Sequence, residues 1–329
     1  MTFLIVQTAF IGDVILATAL VEKIKRCYPG ANIDFLLRQG NESLLKNHPH
    51  LRKVLVWEKK QDKYGSLRQI LAQVRREKYD WVINCQRFAA SGFLTAFSGA
   101  RETIGFDKNP FAFLFSKKFP HNIGDGTHEV ARNLSLIRHL CKDDKFERPR
   151  LYPSQADYDK TWAITQKTPL YVCLAPTSVW FTKQWPAHKW TELIQRLPEN
   201  CTVYLLGGPD DRDACQAIAN DAVRVGVVNL AGQLSMLESA ALMDNASMNY
   251  VNDSAPLHMA SAVNAPVTAI FCSTLPSFGF GPLSDKQWVV EVPPGSLSCR
   301  PCGLHGRKAC PQKHFGCAEN IDVATVPLP

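Results

Sequence analysis

The chain has 329 residues, 46% hydrophobic and 20% charged, which is typical of a soluble globular protein long enough for two domains. No apolar run approaches the roughly 18 to 20 residues that span a bilayer. The apolar N-terminus lacks leading basic residues and is interrupted by Asp13, unlike a signal peptide, so we expect a cytoplasmic protein. The formal charge of +7 favours an anionic partner no more than it favours a merely soluble basic protein.

Apolar strand-like runs alternate with helical patterns along the first half of the chain. Its opening, in which Tyr28-Pro29-Gly30 closes a helix between two strands, is typical of a βαβ unit. Strands are predicted at 3–6, 33–37, 54–57 and 81–84, and helices over 14–27, 66–78 and 127–140. Because segment 143–153 is charged and contains prolines, we expect a domain boundary near it and assign residues 1–160 and 161–329 to separate domains.

The second half repeats this alternation. Strands are predicted at 170–175, 202–206, 225–230, 249–252 and 267–271, and helices over 186–197, 211–220, 237–245 and 257–263. Ser235, with Glu238 three residues later, forms a capping box before the third of these helices. The alternation predicts an α/β fold with two Rossmann-like, doubly wound parallel sheets. Tandem domains of this kind predict a cleft lined by the loops at the strand carboxyl ends.

Residues 176–186, PTSVWFTKQWP, join a predicted buried strand to an amphipathic helix that begins at Pro186. Proline is well tolerated at the first position of a helix, where its missing N–H costs little. Hydroxyl side chains and Lys183 therefore precede a helix N-terminus, which favours anions through its N–H groups and its dipole. The loop predicts a phosphate site, and hence a nucleotide or nucleotide-sugar in this half of the chain.

Gly12-Asp13 in the first loop has two interpretations. The loop lacks the GxGxxG fingerprint of dinucleotide binding, and an acidic residue at a helix start is most often an N-terminal cap. The functional alternative is a general base, since a carboxylate within hydrogen-bond reach of a sugar hydroxyl can remove its proton as the hydroxyl attacks.

Two later loops also follow predicted strands. Residues 206–210, LGGPD, place Asp210 where it could either accept bonds from ribose hydroxyls or cap the next helix. Residues 251–258, VNDSAPLH, expose Asp253 and Ser254 at another helix start. His258 is more typical of a structural hydrogen-bonding residue than of a catalytic one.

Several segments together resemble one known family along nearly the whole chain, in the same order. They are IGDVILATAL at 11–20, INCQR at 83–87, IGFD at 104–107, HEVARN at 128–133, the loop at 176–186, LAGQLSMLE at 230–238 and NDSAPLHMASAVNAPVTAIF at 252–271. The chain is similar to glycosyltransferase family 9, the ADP-heptose:lipopolysaccharide heptosyltransferases. This resemblance implies a GT-B architecture of two Rossmann-like domains, with the acceptor on the first and the nucleotide-sugar on the second.

The resemblance implies catalytic roles for residues of both domains. Asp13 would deprotonate the acceptor hydroxyl. Lys183, with Ser178 and Thr182 nearby, would hold the diphosphate and stabilise the leaving ADP. The reaction would be a single displacement at the anomeric carbon with inversion, and the family generally needs no catalytic metal.

The resemblance also implies the donor pocket. Asp210 falls where the family has an acidic residue against the ribose, and Leu234 falls near the adenine. The heptose and phosphate side would be lined by Asp253, Ser254, Ala255 and His258. Ala255 departs from the family, which commonly has glycine at this position and so lets the ligand approach the backbone more closely.

The implied function is transfer of heptose from ADP-heptose to the inner core of lipopolysaccharide, an anionic acceptor at the cytoplasmic face of the inner membrane. No nucleic acid partner is expected. Two alternatives stay open: a related transferase using another nucleotide-sugar or a protein acceptor, and a nucleotide-sugar-binding protein without activity. The pairing of Asp13 with Lys183 argues against the last, because a binding protein needs no base.

The eleven cysteines fall into two groups. Seven lie in apolar contexts and are predicted to be small buried hydrophobes: Cys27, Cys85, Cys141, Cys173, Cys201, Cys215 and Cys272. The other four lie in a Gly-rich, basic segment with little apolar content: Cys299, Cys302, Cys310 and Cys317. Four thiolates could close a structural zinc or iron site there, although the second pair lacks CxxC spacing. Disulfides are the weaker alternative in a reducing cytoplasm.

Basic residues cluster in the first domain. They are Lys59, Lys60, Lys63, Arg68, Arg75, Arg76 and Lys78, with Lys117 and Lys118 further along. They could meet the carboxylates and phosphates of the acceptor or lie near the membrane surface. For any one of them, a solvated helix face is the simpler interpretation.

Overall fold

The computed structural model describes residues 1–59, 63–166, 168 and 170–329. These residues divide into two compact units, Met1–Tyr152 and Pro153–Pro329. The division falls at the end of the charged segment 143–153. Residues 153–160, expected in the first domain, belong to the second unit because Ser154 and Asp157 form a capping box that starts a helix there.

The first unit is a parallel six-stranded sheet with helices. Its strands run in the order β3-β2-β1-β4-β5-β6, so the order reverses between β1 and β4. Its elements, in chain order, are β1 (Thr2–Val6), α1 (Ile11–Cys27), β2 (Asn32–Arg38), β3 (Leu51–Trp57), α2 (Lys63–Glu77), β4 (Trp81–Asn84), α3 (Ala89–Ala96), β5 (Glu102–Phe106), β6 (Lys117–Phe119) and α4 (Glu129–Ser135).

The second unit repeats this plan with the order β12-β11-β10-β7-β8-β9, which reverses between β7 and β10. Its elements are α5 (Gln155–Thr165), β7 (Tyr171–Ala175), α6 (Ala187–Arg196), β8 (Thr202–Leu205), α7 (Arg212–Asp221), β9 (Val227–Asn229), α8 (Met236–Asp244), β10 (Met248–Asn252), α9 (Ala255–Ala262), β11 (Val267–Phe271), β12 (Gln287–Glu291) and α10 (Gly316–Glu319). Both units therefore have the doubly wound topology that the sequence predicts, and in sheets of this kind ligands bind where the strand order reverses.

The central strands are buried on both faces, which makes their sequences continuous apolar runs. Residues of β1, β2 and β4 lie in the core of the first unit, and those of β7, β8 and β10 in the core of the second. Of the four edge strands, β3 and β9 were predicted and β6 and β12 were missed. β6 is a partly exposed Lys-Lys-Phe and most of β12 is exposed, so neither carries the pattern of a buried strand.

The predicted helix over 127–140 was too long. α4 begins after His128, whose side chain accepts a bond from the backbone N–H of Val130, and it ends at Ser135. Turns follow as far as Leu140. Sequence analysis also missed α3 and α5, which are short helices with weak amphipathic patterns.

The prediction that Cys27 and Cys141 are separate buried hydrophobes was wrong. They form a disulfide, with their Cα atoms 5.9 Å apart and a sequence separation of 114 residues. The end of α1 packs against the turns after α4, where the Tyr28 hydroxyl donates to the Leu140 carbonyl at 2.8 Å. This long-range contact, which sequence spacing does not reveal, brings the two sulfurs together.

The other five cysteines of that group are buried thiols, as predicted: Cys85, Cys173, Cys201, Cys215 and Cys272. Burial raises the pKa of Cys215 to about 12. No helix among the described residues is long and apolar enough to span a bilayer.

Candidate active site

Asn252 organises the strand-order reversal of the second unit. It is the last residue of β10, and its side chain is fully buried. Its Oδ1 accepts a bond from the Trp185 N–H at 3.0 Å, and its Nδ2 donates to the Pro176 carbonyl at 2.8 Å. One side chain therefore holds both ends of loop 176–186 against the sheet. Sequence analysis missed this role, although the position of Asn252 at a strand end was visible.

Lys183 lies at the end of a short 3-10 turn in this loop. Its Nζ is 2.7 Å from Oδ2 of Asp253, and its side chain is only 16% exposed. Asp253 is itself buried, and the same oxygen accepts a bond from the Thr274 hydroxyl at 2.6 Å. A lysine ammonium has three donors, so one bond to Asp253 fixes the side chain and leaves two for an anion.

Thr182 has a different position from the one its predicted role requires. Its side chain is 0% exposed, and its Oγ1 accepts bonds from the Arg307 N–H at 2.7 Å and the Ser273 hydroxyl at 3.0 Å. A fully buried hydroxyl with these partners stabilises the loop and does not contact a ligand. Ser178 is partly exposed, and its carbonyl accepts a bond from the Gln184 side chain at 2.7 Å.

The helix starts differ slightly from prediction. Pro186 is the N-cap residue of α6 rather than its first helical residue. Ser254 is the N-cap of α9 but makes no side-chain cap bond, and Ala255 is the first residue of that helix. His258 is buried, with its ring 6.3 Å from that of Phe280, which fits the structural interpretation of this histidine.

The capping interpretation of Asp210 was wrong. Asp211 makes the cap, because its Oδ2 accepts a bond from the Gly208 N–H at 2.7 Å, while Asp210 is exposed. The loop that carries Leu234 lies against this turn. The Gly232 N–H donates to the Gly207 carbonyl at 2.9 Å. A Cβ on Gly232 would lie 2.8 Å from the backbone of Pro209, and its φ of +74° also favours glycine.

The strand-order reversal of the first unit carries a polar network. The Thr8 hydroxyl donates to Gln86 Oε1 at 2.6 Å, and Gln86 Nε2 donates to Gln7 Oε1 at 2.9 Å. Asp13 lies in the first turn of α1 as its third residue. The N-cap position belongs to Phe10, so Asp13 is not the N-cap residue of this helix.

Lys59 joins this network. Its Nζ donates to the Thr8 hydroxyl at 2.6 Å and lies 4.4 Å from the centre of the Trp57 ring. Burial and the nearby Arg38 guanidinium lower the pKa of Lys59 to about 8. Lys59 and Arg38 are neighbouring cations, and Lys59 is partly desolvated, so binding of an anion between them would be favourable.

The remaining basic residues fit the solvated-face interpretation. Arg68, Arg75, Arg76, Lys78, Lys117 and Lys118 are exposed. Arg75 donates to the Phe97 carbonyl at 2.7 Å, and Lys117 is 3.5 Å from Glu102. Lys60 and the side chain of Lys63 lie outside the described residues.

The four C-terminal cysteines lie near one another. Burial and the neighbouring thiols of Cys302, Cys310 and Cys299 raise the pKa of Cys317 to about 11. Across residues 1–59, 63–166, 168 and 170–329, no three His, Cys, Asp or Glu side chains are grouped closely enough to hold a metal ion. The donor set is suitable for zinc or iron, but the thiols are not at ligand distances.

The chain is similar to known proteins over most of its length. A model of glycosyltransferase family 9 (heptosyltransferase) matches residues 67–305. The chain belongs to this family. It is 29% identical to lipopolysaccharide heptosyltransferase 3 of Escherichia coli, over 80% of this chain and 82% of that protein.

Two solved structures share its fold. One is the ADP-heptose lipopolysaccharide heptosyltransferase II of E. coli, with a TM-score of 0.78 and 21% identity over 97% of this chain and 98% of that one. The other is TibC, an iron-containing dodecameric heptosyltransferase of enterotoxigenic E. coli H10407. Its TM-score is 0.57 and its identity 16%, over 98% of this chain and 73% of that one. These structures confirm the expected GT-B fold for this family 9 glycosyltransferase.

Proposed function

We propose that this glycosyltransferase transfers a heptose from ADP-heptose to the inner core of lipopolysaccharide. The observation that carries the proposal is the Lys183–Asp253 pair at the β7/β10 reversal, where doubly wound sheets bind their ligands. The E. coli relative and the E. coli fold neighbour, whose names specify a lipopolysaccharide acceptor and an ADP-heptose donor, support the choice of substrates.

Lys183 and Asp13 would carry the chemistry. When the bond between the anomeric carbon and the β-phosphate oxygen breaks, negative charge develops on the leaving ADP. A lysine already fixed by a buried carboxylate can stabilise that charge without reorganising. Asp13 would take the proton of the acceptor hydroxyl as it attacks with inversion. The lysine supplies the positive charge that a metal ion could otherwise supply, so we propose that this step needs no catalytic metal.

Exposed Asp210 would bind the ribose and Leu234 the adenine, on loops that the Gly232–Gly207 bond holds together. Asp253, Ser254, Ala255 and His258 would line the heptose side. Within this group, buried Asp253 and His258 would act mainly by holding Lys183 and the start of α9 in place. The acceptor is anionic and lipid-linked, so we also propose that the enzyme works at the cytoplasmic face of the inner membrane, with Lys59 and Arg38 meeting acceptor carboxylates or phosphates.

Mass spectrometry of the products formed from ADP-heptose and a panel of truncated lipopolysaccharide acceptors tests the proposal. We expect one heptose to be added to a core acceptor. Asp13→Asn should lower kcat by about 10²–10⁴-fold. Asp213→Asn, which alters an exposed acid in the first turn of α7, should leave kcat unchanged. Absence of heptose addition across the panel would favour a protein acceptor or another donor. Transfer by Asp13→Asn at the wild-type rate would overturn the assignment of the base.

We propose separately that Cys299, Cys302, Cys310 and Cys317 hold a structural zinc or iron. The iron in TibC supports this proposal. The segment would have to close on the ion, since its thiols are not yet at ligand distances, and metal binding commonly orders small segments in this way. Elemental analysis should find about one metal per chain, lost in Cys302→Ser and kept in Cys201→Ser. Protein without zinc or iron would overturn the proposal.

A further inference from the structure

We infer that residues 300–307, which we call the brace, position Lys183 for the donor diphosphate. The brace lies in the cysteine-bearing segment and outside the loop that carries Lys183. This inference rests on the proposed function, because it takes Lys183 to be the residue that binds the diphosphate. Three sets of contacts connect the brace to the lysine, two through Thr182 and one through Asp253.

The first contact is a pair of hydrogen bonds to the residue before Lys183. The Thr182 N–H donates to the Arg307 carbonyl at 3.0 Å, and the Arg307 N–H donates to the Thr182 hydroxyl at 2.7 Å. The two segments are 125 residues apart in sequence. The backbone at residue 307 therefore fixes the position of the 3-10 turn that ends at Lys183.

The second contact passes through the end of β11. The Cys302 N–H donates to the Ser273 carbonyl at 2.9 Å, and the Ser273 hydroxyl donates to that of Thr182 at 3.0 Å. Both hydroxyl side chains are fully buried. Buried polar groups lose free energy when they lack partners, so these bonds keep the brace and the loop in a single arrangement.

The third contact reaches the partner of Lys183. Arg300, whose side chain is 5% exposed and paired with Glu291, donates to the Thr274 carbonyl at 2.8 Å. The Thr274 hydroxyl donates in turn to Asp253, which holds the Lys183 ammonium. The brace thus supports both the backbone and the ion pair of the lysine.

Gly306 shows how closely the brace approaches the lysine. A Cβ on Gly306 would lie 3.1 Å from Cγ of Lys183, 3.2 Å from Oγ1 of Thr182 and 3.2 Å from Cβ of Trp180. Gly295, which lies outside the brace, also has a positive φ, but a Cβ there would meet nothing within 4 Å. Alanine at either position strains the backbone, and only at 306 does it push on the lysine.

These residues are positioning residues, since they would act on the donor only through Lys183. A Cβ at these distances makes its neighbours move by a few tenths of an ångström. A displacement of about 1 Å at a group that binds a reacting phosphate can cost about 10²-fold in rate, so we expect a smaller effect here. The test compares Gly306→Ala with Gly295→Ala by calorimetric titration with ADP, steady-state kinetics and thermal unfolding. Gly306→Ala should weaken ADP binding about tenfold and raise the donor KM, with the acceptor KM unchanged and a Tm close to that of Gly295→Ala.

A second series at Thr182 keeps the inference testable if Gly306→Ala fails to fold. Thr182→Ser retains the hydroxyl that the brace uses and should bind ADP normally, whereas Thr182→Val should lose affinity. Equal ADP affinity in the two glycine variants, or in the two Thr182 variants, would overturn the inference. Lys183→Ala separates the two proposals: if it binds ADP as the wild type does, the assigned role of Lys183 is wrong, whatever the brace does.

Discussion

The fourth strand in chain order of each unit ends in a buried asparagine, Asn84 in β4 and Asn252 in β10. The two side chains form hydrogen bonds with different kinds of partner. Asn84 Oδ1 accepts a bond from the N–H of Gln86, two residues away. Asn252 bonds to Trp185 and Pro176, which are 67 and 76 residues away. The same topological position therefore shapes a local turn in one unit and anchors a long ligand loop in the other.

The lysines at the two reversals, Lys183 and Lys59, also differ in the partners that hold them. Lys183 is neutralised by a buried carboxylate and held from several sides. Lys59 bonds to the neutral oxygens of Thr8 and lies near another cation, Arg38. A fixed lysine suits a phosphate whose charge grows during the reaction, whereas an unneutralised cation suits an acceptor that is already anionic. We therefore propose that Lys183 takes part in the chemistry with Asp13, whereas Lys59 contributes only to binding of the acceptor.

Of the two lysines, Lys183 should show the larger effect on the rate, and its replacement tests this division of roles directly. Lys183→Ala should lower kcat by about 10²–10³-fold, because removing one preorganised contact to the developing charge costs about 2.7–4 kcal/mol. Lys59→Ala should change kcat little and raise the acceptor KM instead. Steady-state kinetics with both substrates varied would measure the split. A large fall in kcat for Lys59→Ala would show that Lys59 also takes part in the chemistry and that the two lysines do not differ in role.

The asparagines should differ in stability. Asn252→Ala removes two long-range bonds and leaves the buried Trp185 N–H without its acceptor, so we expect a loss of about 2–3 kcal/mol. Asn84→Ala removes one local bond and should cost about 1 kcal/mol or less. Urea unfolding of both variants would measure these free energies, and ADP affinity should fall only in Asn252→Ala. Equal losses would mean that loop 176–186 does not depend on its anchor.

Sequence analysis predicted the fold well because buried central strands and the alternation of strands and helices are local signals. It predicted the loop of Lys183 for the same reason, since a strand, a hydroxyl-rich loop and a helix are adjacent in the chain. It did not find the roles of Asn252, Ser273 and Thr274, which depend on neighbouring strands ending at one edge. The Cys27–Cys141 bond and the contact of residue 307 with Thr182 were beyond it, because each joins segments more than 100 residues apart.

The smallest expected effect is the pH dependence that Lys59 gives to the acceptor KM. The pKa of Lys59 is about 8, against an ordinary value of 10.5, because of burial and the nearby Arg38. The protonated fraction of Lys59 should therefore fall from about nine-tenths at pH 7 to about one-tenth at pH 9, and the acceptor KM should rise up to about tenfold. Lys59→Arg stays charged and should keep the acceptor KM nearly constant between pH 7 and pH 9, whereas Lys59→Met should show a high acceptor KM at both pH values.

The same lysine should make stability depend on pH. Between pH 8 and 10.5 the unfolded chain binds more protons at Lys59 than the folded chain does, so the contribution of Lys59 to the free energy of unfolding should rise with pH and vanish in Lys59→Met. If the pH profile of the acceptor KM is the same in the wild type and in Lys59→Met, Lys59 does not bind the acceptor. The proposed contrast between Lys59 and Lys183 would then be wrong.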